Sequence, residues 1–364
     1  MFILSHLSVN KTILTILFVI ATLYLYAQKD SSQSSTVKRD YYVEDLTSKI
    51  NASLFISNAH NSFSFNNKGQ IDYQPNEYLG FGIKLIHKWL GLAYVYTPSN
   101  LLEKIKGNTT HSNLTLNGYG KKIGFDLYYL SYSGYYIANT NQISELKRPD
   151  KTYIIRPDIS TTNIGSNVYY IFNHKKYSYR STFLQNEIQK HSAGSFLINT
   201  SFSYYNINAD SSIAPLGLNN TNKIDFDASI RKGDFYSICL MPGYAHTFVI
   251  KEKLFVTLSL LFGANFQQQH YFVANDNNDI NKFIVAPKAT GRAGFGYNGK
   301  RFYTGISVIG DNYTLPLGKN EKLNYLMGSA TYYFGMRFNL PKSLKGVSSK
   351  MDKLPVIIFQ KLSP

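Results

Sequence analysis

The feature that most constrains this chain is an alternation of period two, held over runs too long for a soluble sheet. Phe196, Ile198, Thr200, Phe202 and Tyr204 alternate with Ser195, Leu197, Asn199, Ser201 and Ser203. Leu254, Val256, Leu258, Leu260, Phe262, Ala264 and Phe266 face away from Thr257, Ser259, Gly263, Asn265 and Gln267. Leu326, Ala330, Tyr332, Phe334, Met336 and Phe338 oppose Ser329, Thr331, Gly335 and Arg337. Such alternation marks strands with one apolar and one polar face. The runs extend over roughly 10 to 15 residues, against about 5 or 6 in soluble sheets and about 9 to 11 for a strand crossing a tilted bilayer.

Candidate strands fall at 49–58, 78–88, 89–97, 111–119, 122–134, 159–173, 176–187, 192–207, 236–250, 252–268, 284–298, 300–311 and 324–339. Short polar turns separate some of them, at 87–88, 118–122, 173–176, 251–253 and 298–300. Long polar segments separate others, at 98–110, 135–158, 208–234, 269–282 and 311–322. Short turns on one side and long loops on the other are the layout of an outer-membrane barrel, whose strand number in a bacterial single chain is even. The candidates number thirteen, so merging two gives twelve and finding one more gives fourteen. The expected fold is all-β: an antiparallel transmembrane β-barrel of about 12 strands, with 14 as the alternative, short periplasmic turns and long extracellular loops. Tyrosines cluster near predicted strand ends, among them Tyr94, Tyr96, Tyr128–Tyr129, Tyr169–Tyr170, Tyr204–Tyr205 and Tyr332–Tyr333, where an aromatic girdle is expected.

Composition excludes several other classes. Of 364 residues 15% are aromatic, which disordered chains lack. No repeated apolar runs of about 20 residues occur, so a polytopic helical membrane protein is excluded. Cys239 is the lone cysteine, which rules out a disulfide framework and a structural zinc cluster. The formal charge of +16 raises nucleic acid as a partner, but the lysines lie in turns, loops and the tail rather than in one stripe. Residues 1–27 carry Lys11 and then the apolar stretch Ile13 to Ala27, short for a membrane-spanning helix and suited to a secretory signal peptide. The expected organisation is a signal peptide at 1–27, a flexible leader at 28–46, the barrel at 47–339 and a basic, periplasmic tail at 340–364. Secretion then leads to the outer membrane of a Gram-negative bacterium, in contact with outer-membrane lipid and lipopolysaccharide.

A set of motifs runs in order along the chain. They are Tyr73-Gln-Pro75-Asn76 with Gly80-Phe-Gly82, Trp89-Leu-Gly-Leu92, Arg156-Pro-Asp158 and Asn173-His-Lys-Lys-Tyr-Ser-Tyr179. Gln185-Asn-Glu-Ile-Gln-Lys-His-Ser-Ala-Gly-Ser195, Ala209-Asp-Ser-Ser212 and Gly243-Tyr-Ala-His-Thr-Phe-Val-Ile250 follow. Over about 40 to 340 the chain resembles the Bacteroidota outer-membrane family catalogued as domain of unknown function 4421. The resemblance implies a secreted outer-membrane β-barrel and supplies no activity and no catalytic residues. The tail after Phe338 departs from a barrel chain that stops at its last aromatic.

The search for chemistry yields little beyond charge. His87, His174, His191, His246 and His270 lack metal-ligand spacing, and nothing in the sequence calls for a cofactor. A lipid hydrolase would need Ser and His side by side; His60-Asn61-Ser62 and His111-Ser112-Asn113 carry those types, and in both the residues are read as requiring a loop. Gly291-Arg-Ala-Gly294-Phe-Gly296 sits in a strand and is not a phosphate loop. Lys84, Asp126, Arg180, Arg292 and Arg337 alternate with apolar neighbours and are placed in the lumen, since a cation at the lipid midplane costs about 2 to 4 kcal/mol. Arg180, Arg292 and Arg337 should point inward from strands whose other faces carry Tyr179, Phe183, Ala293, Phe295, Phe334 and Phe338, with Asp126, Glu187, Tyr128 and Tyr333 as partners. A lumen with that balance would attract small anionic solutes if open. The functions in view are passive transport, ligand binding or a structural envelope role, with an outer-membrane lipid hydrolase or a soluble periplasmic ligand-binding barrel as alternatives.

Overall fold

The long alternating runs form strands that pair edge to edge until the sheet closes. The computed structural model describes residues 39–66, 69–77, 79–98, 103–214, 230–273, 279–318, 321–346 and 348–349. In chain order the strands begin with β1 (Val43–Asp45), β2 (Ile50–Asn66), β3 (Gln70–Gln74), β4 (Gly80–His87), β5 (Leu90–Tyr96) and β6 (Thr110–Tyr119). They continue with β7 (Ile123–Ile137), β8 (Ile155–Ile171), β9 (Glu187–Gln189), β10 (Ala193–Asn208) and β11 (Ile230–Ile250). The last four are β12 (Leu254–Val273), β13 (Asp279–Asn298), β14 (Phe302–Pro316) and β15 (Lys322–Phe338). Two single helical turns, α1 (Arg39–Tyr42) and α2 (Arg180–Phe183), accompany them.

Twelve strands make an antiparallel ring, β2-β4-β5-β6-β7-β8-β10-β11-β12-β13-β14-β15, closed by β15 on β2 from Lys322↔Asn66 to Phe338↔Ile50. A further pairing within the large sheet is a shortcut. β3 turns back from β2 (Phe63↔Tyr73) and touches β7 (Tyr73↔Ile137), bridging the ring above the short strands β4, β5 and β6. The hairpin turn after β11 holds Lys251 and Glu252 both at positive φ, the conformation that matches strand twist in a tight hairpin.

The outer face is an apolar belt. Phe196, Phe262, Leu260, Phe283, Phe295 and Leu258 are each more than half exposed, and Tyr332 and Phe334 join them at 51% and 49%. Phe202 is half-buried among its neighbours. The inward faces carry Asn167, Ser201, Ser203, Thr257, Asn265 and Thr290, all buried. An apolar outside around a polar middle is the reverse of what a soluble barrel requires.

Two aromatic clusters fill the ends of the lumen. The loop-side cluster joins Phe63, Tyr73, Tyr135, Tyr205, Tyr313 and Tyr325 with aliphatic neighbours. The turn-side cluster joins Tyr119, Tyr169, Tyr177, Tyr179, Phe183 and Leu184. Tandem tyrosines feed both, because a period of two sends one ring of a regular pair inward; past the register shift between Ser133 and Tyr135, Tyr135 and Tyr136 are both buried. Tyr129, Tyr170 and Tyr332 are exposed while Tyr128, Tyr169 and Tyr333 are buried. Half of the expected girdle therefore packs the interior.

The structure corrects several expectations. Residues 176–187 are not a strand: they enter the lumen as α2 and β9, so Arg180 does not project from the wall. Tyr179 and Phe183 are buried rather than outward. Their spacing of four residues is that of one helical turn, and their rings lie 4.8 Å apart. The described end of the expected leader is ordered as α1 and β1, with β1 paired antiparallel to β9. Several expected loops are strand: β11 begins at Ile230, β12 runs to Val273 and β14 to Pro316. The expected signal peptide, residues 28–38 and the patch Val356 to Phe359 lie outside the described residues. The described part of the tail returns to the turn side, where Ser348 hydrogen-bonds His87 at 2.9 Å.

The belt predicts an asymmetric response to charge. Phe262→Arg, outward at mid-belt, should destabilise the barrel folded in phosphatidylcholine vesicles by about 2 to 4 kcal/mol in guanidinium titrations.

Candidate functional site

The plug formed by 172–192 is fixed to the wall through its own carbonyls. A segment inside a barrel cannot join the ladder, so side chains must satisfy its backbone. Asn51 Nδ2 and Arg337 Nε each donate to Gln185 O at 3.0 Å, and Asn298 Nδ2 donates to Ser181 O at 2.9 Å and Glu187 O at 3.0 Å. Arg337 Nη2 also donates to Asn298 Oδ1 at 2.5 Å. Gln185 sits at φ 54°, which turns its carbonyl toward this cluster. Gly294 lets α2 approach β13, since a Cβ there would come within 2.4 Å of Thr182 Cγ2. At the centre of the plug Glu187, fully buried, accepts from Arg39 Nη2 at 2.6 Å and Ser178 Oγ at 2.5 Å and lies 3.0 Å from Arg180 Nε.

Above the plug Arg292 spans the lumen. Its Nη2 meets Asp126 Oδ2 at 2.6 Å and its Nη1 donates to Tyr119 at 2.7 Å; Tyr169 accepts a further bond. β13 and β7, which carry the pair, lie five strands apart along one side of the ring. The guanidinium packs over the Tyr169 ring at 4.7 Å and near Tyr179 and Phe183 at 5.7 Å, which ties the brace to the plug. Asp126 Oδ1 accepts from Asn117 at 2.7 Å and Tyr119 at 2.5 Å, so both its oxygens are engaged. Lys84 also points inward and donates to Phe183 O at 3.3 Å.

The five charges singled out from sequence thus fall in two places. Lys84, Asp126 and Arg292 meet at mid-lumen; Arg180 and Arg337 anchor the plug. Asp126 and Glu187 partner arginines, whereas the Tyr128 and Tyr333 hydroxyls are not among the arginines' hydrogen-bond partners. Sequence reading missed Lys288, buried and bonded to Ser201 at 3.2 Å, and Asp311, also buried. Lys288 shares the parity of Arg292 and could have been found from it.

A cavity of about 960 Å³ begins as a chamber between the plug and the loop-side cluster and continues to the outer face, where Leu92, Tyr94, Leu114 and Tyr129 also line it. Its lining includes Phe183 and Tyr119 from below and Tyr128 and Leu130 from above, with Phe55, Ile309 and Met327 on the walls. At its roof the Tyr132 hydroxyl accepts from Asn61 and Asn113, each at 2.6 Å. Glu77, in the β3–β4 connection, is pushed up to about 7 by burial, against hydrogen bonding from Tyr132 and Asn113. A volume in the range of small-molecule sites, largely apolar walls and a few convergent polar groups make this the candidate binding site.

His60 and Ser62 are on strand β2, not in a loop as a hydrolase site was expected to be. Two residues apart, they share the outer face, and Ser62 Oγ lies 2.8 Å from His60 Nε2. Among the described residues no third group orients the imidazole.

Removing one partner of the brace should strand a buried charge. Arg292→Met should destabilise the folded barrel by about 3 to 5 kcal/mol in denaturant titrations, and adding Asp126→Leu should restore most of that loss.

Against solved structures the chain is similar to outer-membrane barrels at low identity. One is the outer-membrane protease OmpT of Escherichia coli, at 8% identity, covering 85% of this chain and 99% of that one, with a TM-score of 0.36. Another is the β domain of the Bordetella autotransporter BrkA, at 9% identity, 80% and 100% coverage and a TM-score of 0.34. A third is the Pseudomonas putida toluene transporter TodX, at 8% identity, 80% and 90% coverage and a TM-score of 0.26. No curated protein matches the chain. Residues 30–338 match the family described as Domain of unknown function (DUF4421), and the chain belongs to that family.

Proposed function

We propose that this protein is a ligand-binding barrel of the outer membrane of a Gram-negative, Bacteroidota-type cell, whose lumen works as a chamber rather than as a pore open from end to end. The observation that carries this reading is the chamber itself, held between two side-chain-packed ends and floored by the Arg292–Asp126 brace. The apolar belt supports contact with outer-membrane lipid and lipopolysaccharide. Cross-bracing by Arg292 and aromatic packing at both ends support a chamber over a through-pore, so passive transport here means uptake and release of a bound molecule. On the chamber floor Lys84 and Arg292 outweigh Asp126, which favours an anionic group there, while Asp311 and Glu77 bring carboxyls to other parts of the lining.

The lipid-hydrolase reading has one observation in its favour, the Ser62–His60 hydrogen bond, and lacks a group to hold the imidazole in place.

Planar-bilayer recording tests the chamber reading. The wild-type protein should insert without a steady open-channel conductance. A stable, anion-selective current that loses its selectivity in Arg292→Ser would overturn the reading in favour of an anion pore.

A further inference from the structure

The ring is not sealed all the way round. β5 and β6 are neighbours, yet they pair only at Leu90↔Gly118 and Gly91↔Asn117. β5 pairs with β4 along its whole length, and β6 pairs with β7 along its whole length. The two edges diverge from Leu92 and Leu116 onward. Burial records the same split independently. Along β10 and β12 burial alternates from face to face, but from Leu92 to Tyr96 and from Thr110 to Thr115 every residue is exposed on both faces. Val95, whose parity points it inward, is 47% exposed.

The opening lies within the apolar belt. Register carries Tyr96 across Phe81, Ile56 and Tyr332 to Ile306, all exposed on the outer face. It carries Leu116 across Leu127, Ser166 and Phe202 to Ile238 on the other side. The chamber reaches this slot, since Ala93, Val95, Asn113 and Thr115 belong to its lining. Unpaired strand edges are not tolerated in bare hydrocarbon, where each orphaned N–H or C=O costs several kcal/mol. They survive beside a polar cavity, against an occupant, or by closing.

We propose that the β5–β6 slot is a lateral door through which a single-chain amphiphile with an anionic head passes from the outer leaflet into the chamber; the inference rests on the chamber reading above. The head is assigned by charge. Lys84, opposite Ala93 at the foot of the slot, has one hydrogen bond, to Phe183 O at 3.3 Å, and no carboxylate within ion-pair distance among the described residues. Arg292 Nε is buried without a partner, while both oxygens of Asp126 are taken. The floor therefore has cationic donors to spare for a carboxylate or a phosphate, whereas the unpartnered carboxyl oxygens of the lining, on Asp311 and Glu77, belong to other parts of it. Phe55, Leu130, Ile309 and Met327 offer the chain an apolar wall, and Leu92, Tyr94 and Leu114 frame the slot on the lipid side.

The test uses the full-length protein in phosphatidylcholine vesicles, with palmitate, lysophosphatidate, hexadecanol and hexadecyltrimethylammonium as probes. Continuing the register sets Ala93 opposite Thr115, so Ala93→Cys/Thr115→Cys can be oxidised to lock the slot and reduced to free it, with buried Cys239 left in place. Thr115→Cys carrying a bulky maleimide blocks the same slot if the disulfide does not form. Uptake of palmitate or lysophosphatidate should slow at least tenfold in the locked or blocked protein and recover on reduction of the disulfide. Their relative affinities decide between a carboxylate and a phosphate head. Lys84→Met should weaken both at least tenfold and leave hexadecanol unchanged. Uptake at the wild-type rate with the slot locked overturns the door and leaves the chamber standing. Binding of hexadecyltrimethylammonium as tight as palmitate overturns the anionic head. Failure of every probe to bind removes the chamber reading and the door together.

Discussion

A strand that crosses lipid has no water to satisfy its backbone, and that requirement organises the molecule. Each N–H and C=O must find a partner in a neighbouring strand, so the sheet must close on itself. The closure of β15 on β2 along the whole of β15 meets the demand at the seam where the chain's two ends join. Once the ring is closed, period-two alternation leaves only one assignment of faces: Phe262 and Phe295 to lipid, Asn265 and Arg292 to the lumen.

What fills that lumen follows from the same accounting. A twelve-stranded ring encloses more space than inward side chains of ordinary size can occupy, so chain is folded back into it. The plug carries its own backbone groups inside, and Asn51, Asn298 and Arg337 satisfy them from the wall. Buried ion pairs such as Arg292–Asp126 contribute little net stability against well-packed apolar residues. Here they fix position instead: the brace joins β13 to β7, and its guanidinium stacks on the plug's Tyr179 and Phe183. Glu187 does the same for the N-terminal segment, holding Arg39 and Arg180 around one carboxylate.

The barrel and most of its strands were legible in the alternation, because β10, β12 and β15 each carry an apolar face that meets lipid and a polar face that does not. The signal fades where that contrast does. Beyond the belt the contrast between faces is lost, so Gln269 and His270 read as loop although they continue β12. Residues 177–183 carry aromatics at a spacing of both two and four, and only the surroundings select the helical turn. The tandem tyrosines have one ring on each face by geometry, which a girdle reading overlooks. Three of the candidate charges do meet at the chamber floor, yet their meeting depends on strand order that no local pattern encodes. The slot left one trace. Gly91, Ala93 and Val95 face inward from β5 as apolar residues, where other strands present Ser, Asn or Thr.

Hydrogen–deuterium exchange in lipid nanodiscs measures backbone pairing strand by strand and tests the account most directly. A wall whose neighbours β5 and β6 pair at only two positions predicts that the amides of Ala93 to Tyr96 and His111 to Thr115 that face the slot exchange far faster than those of the fully paired part of β12 at the same depth. Protection at 93–96 and 111–115 equal to that of β12 would show a sealed wall and contradict it.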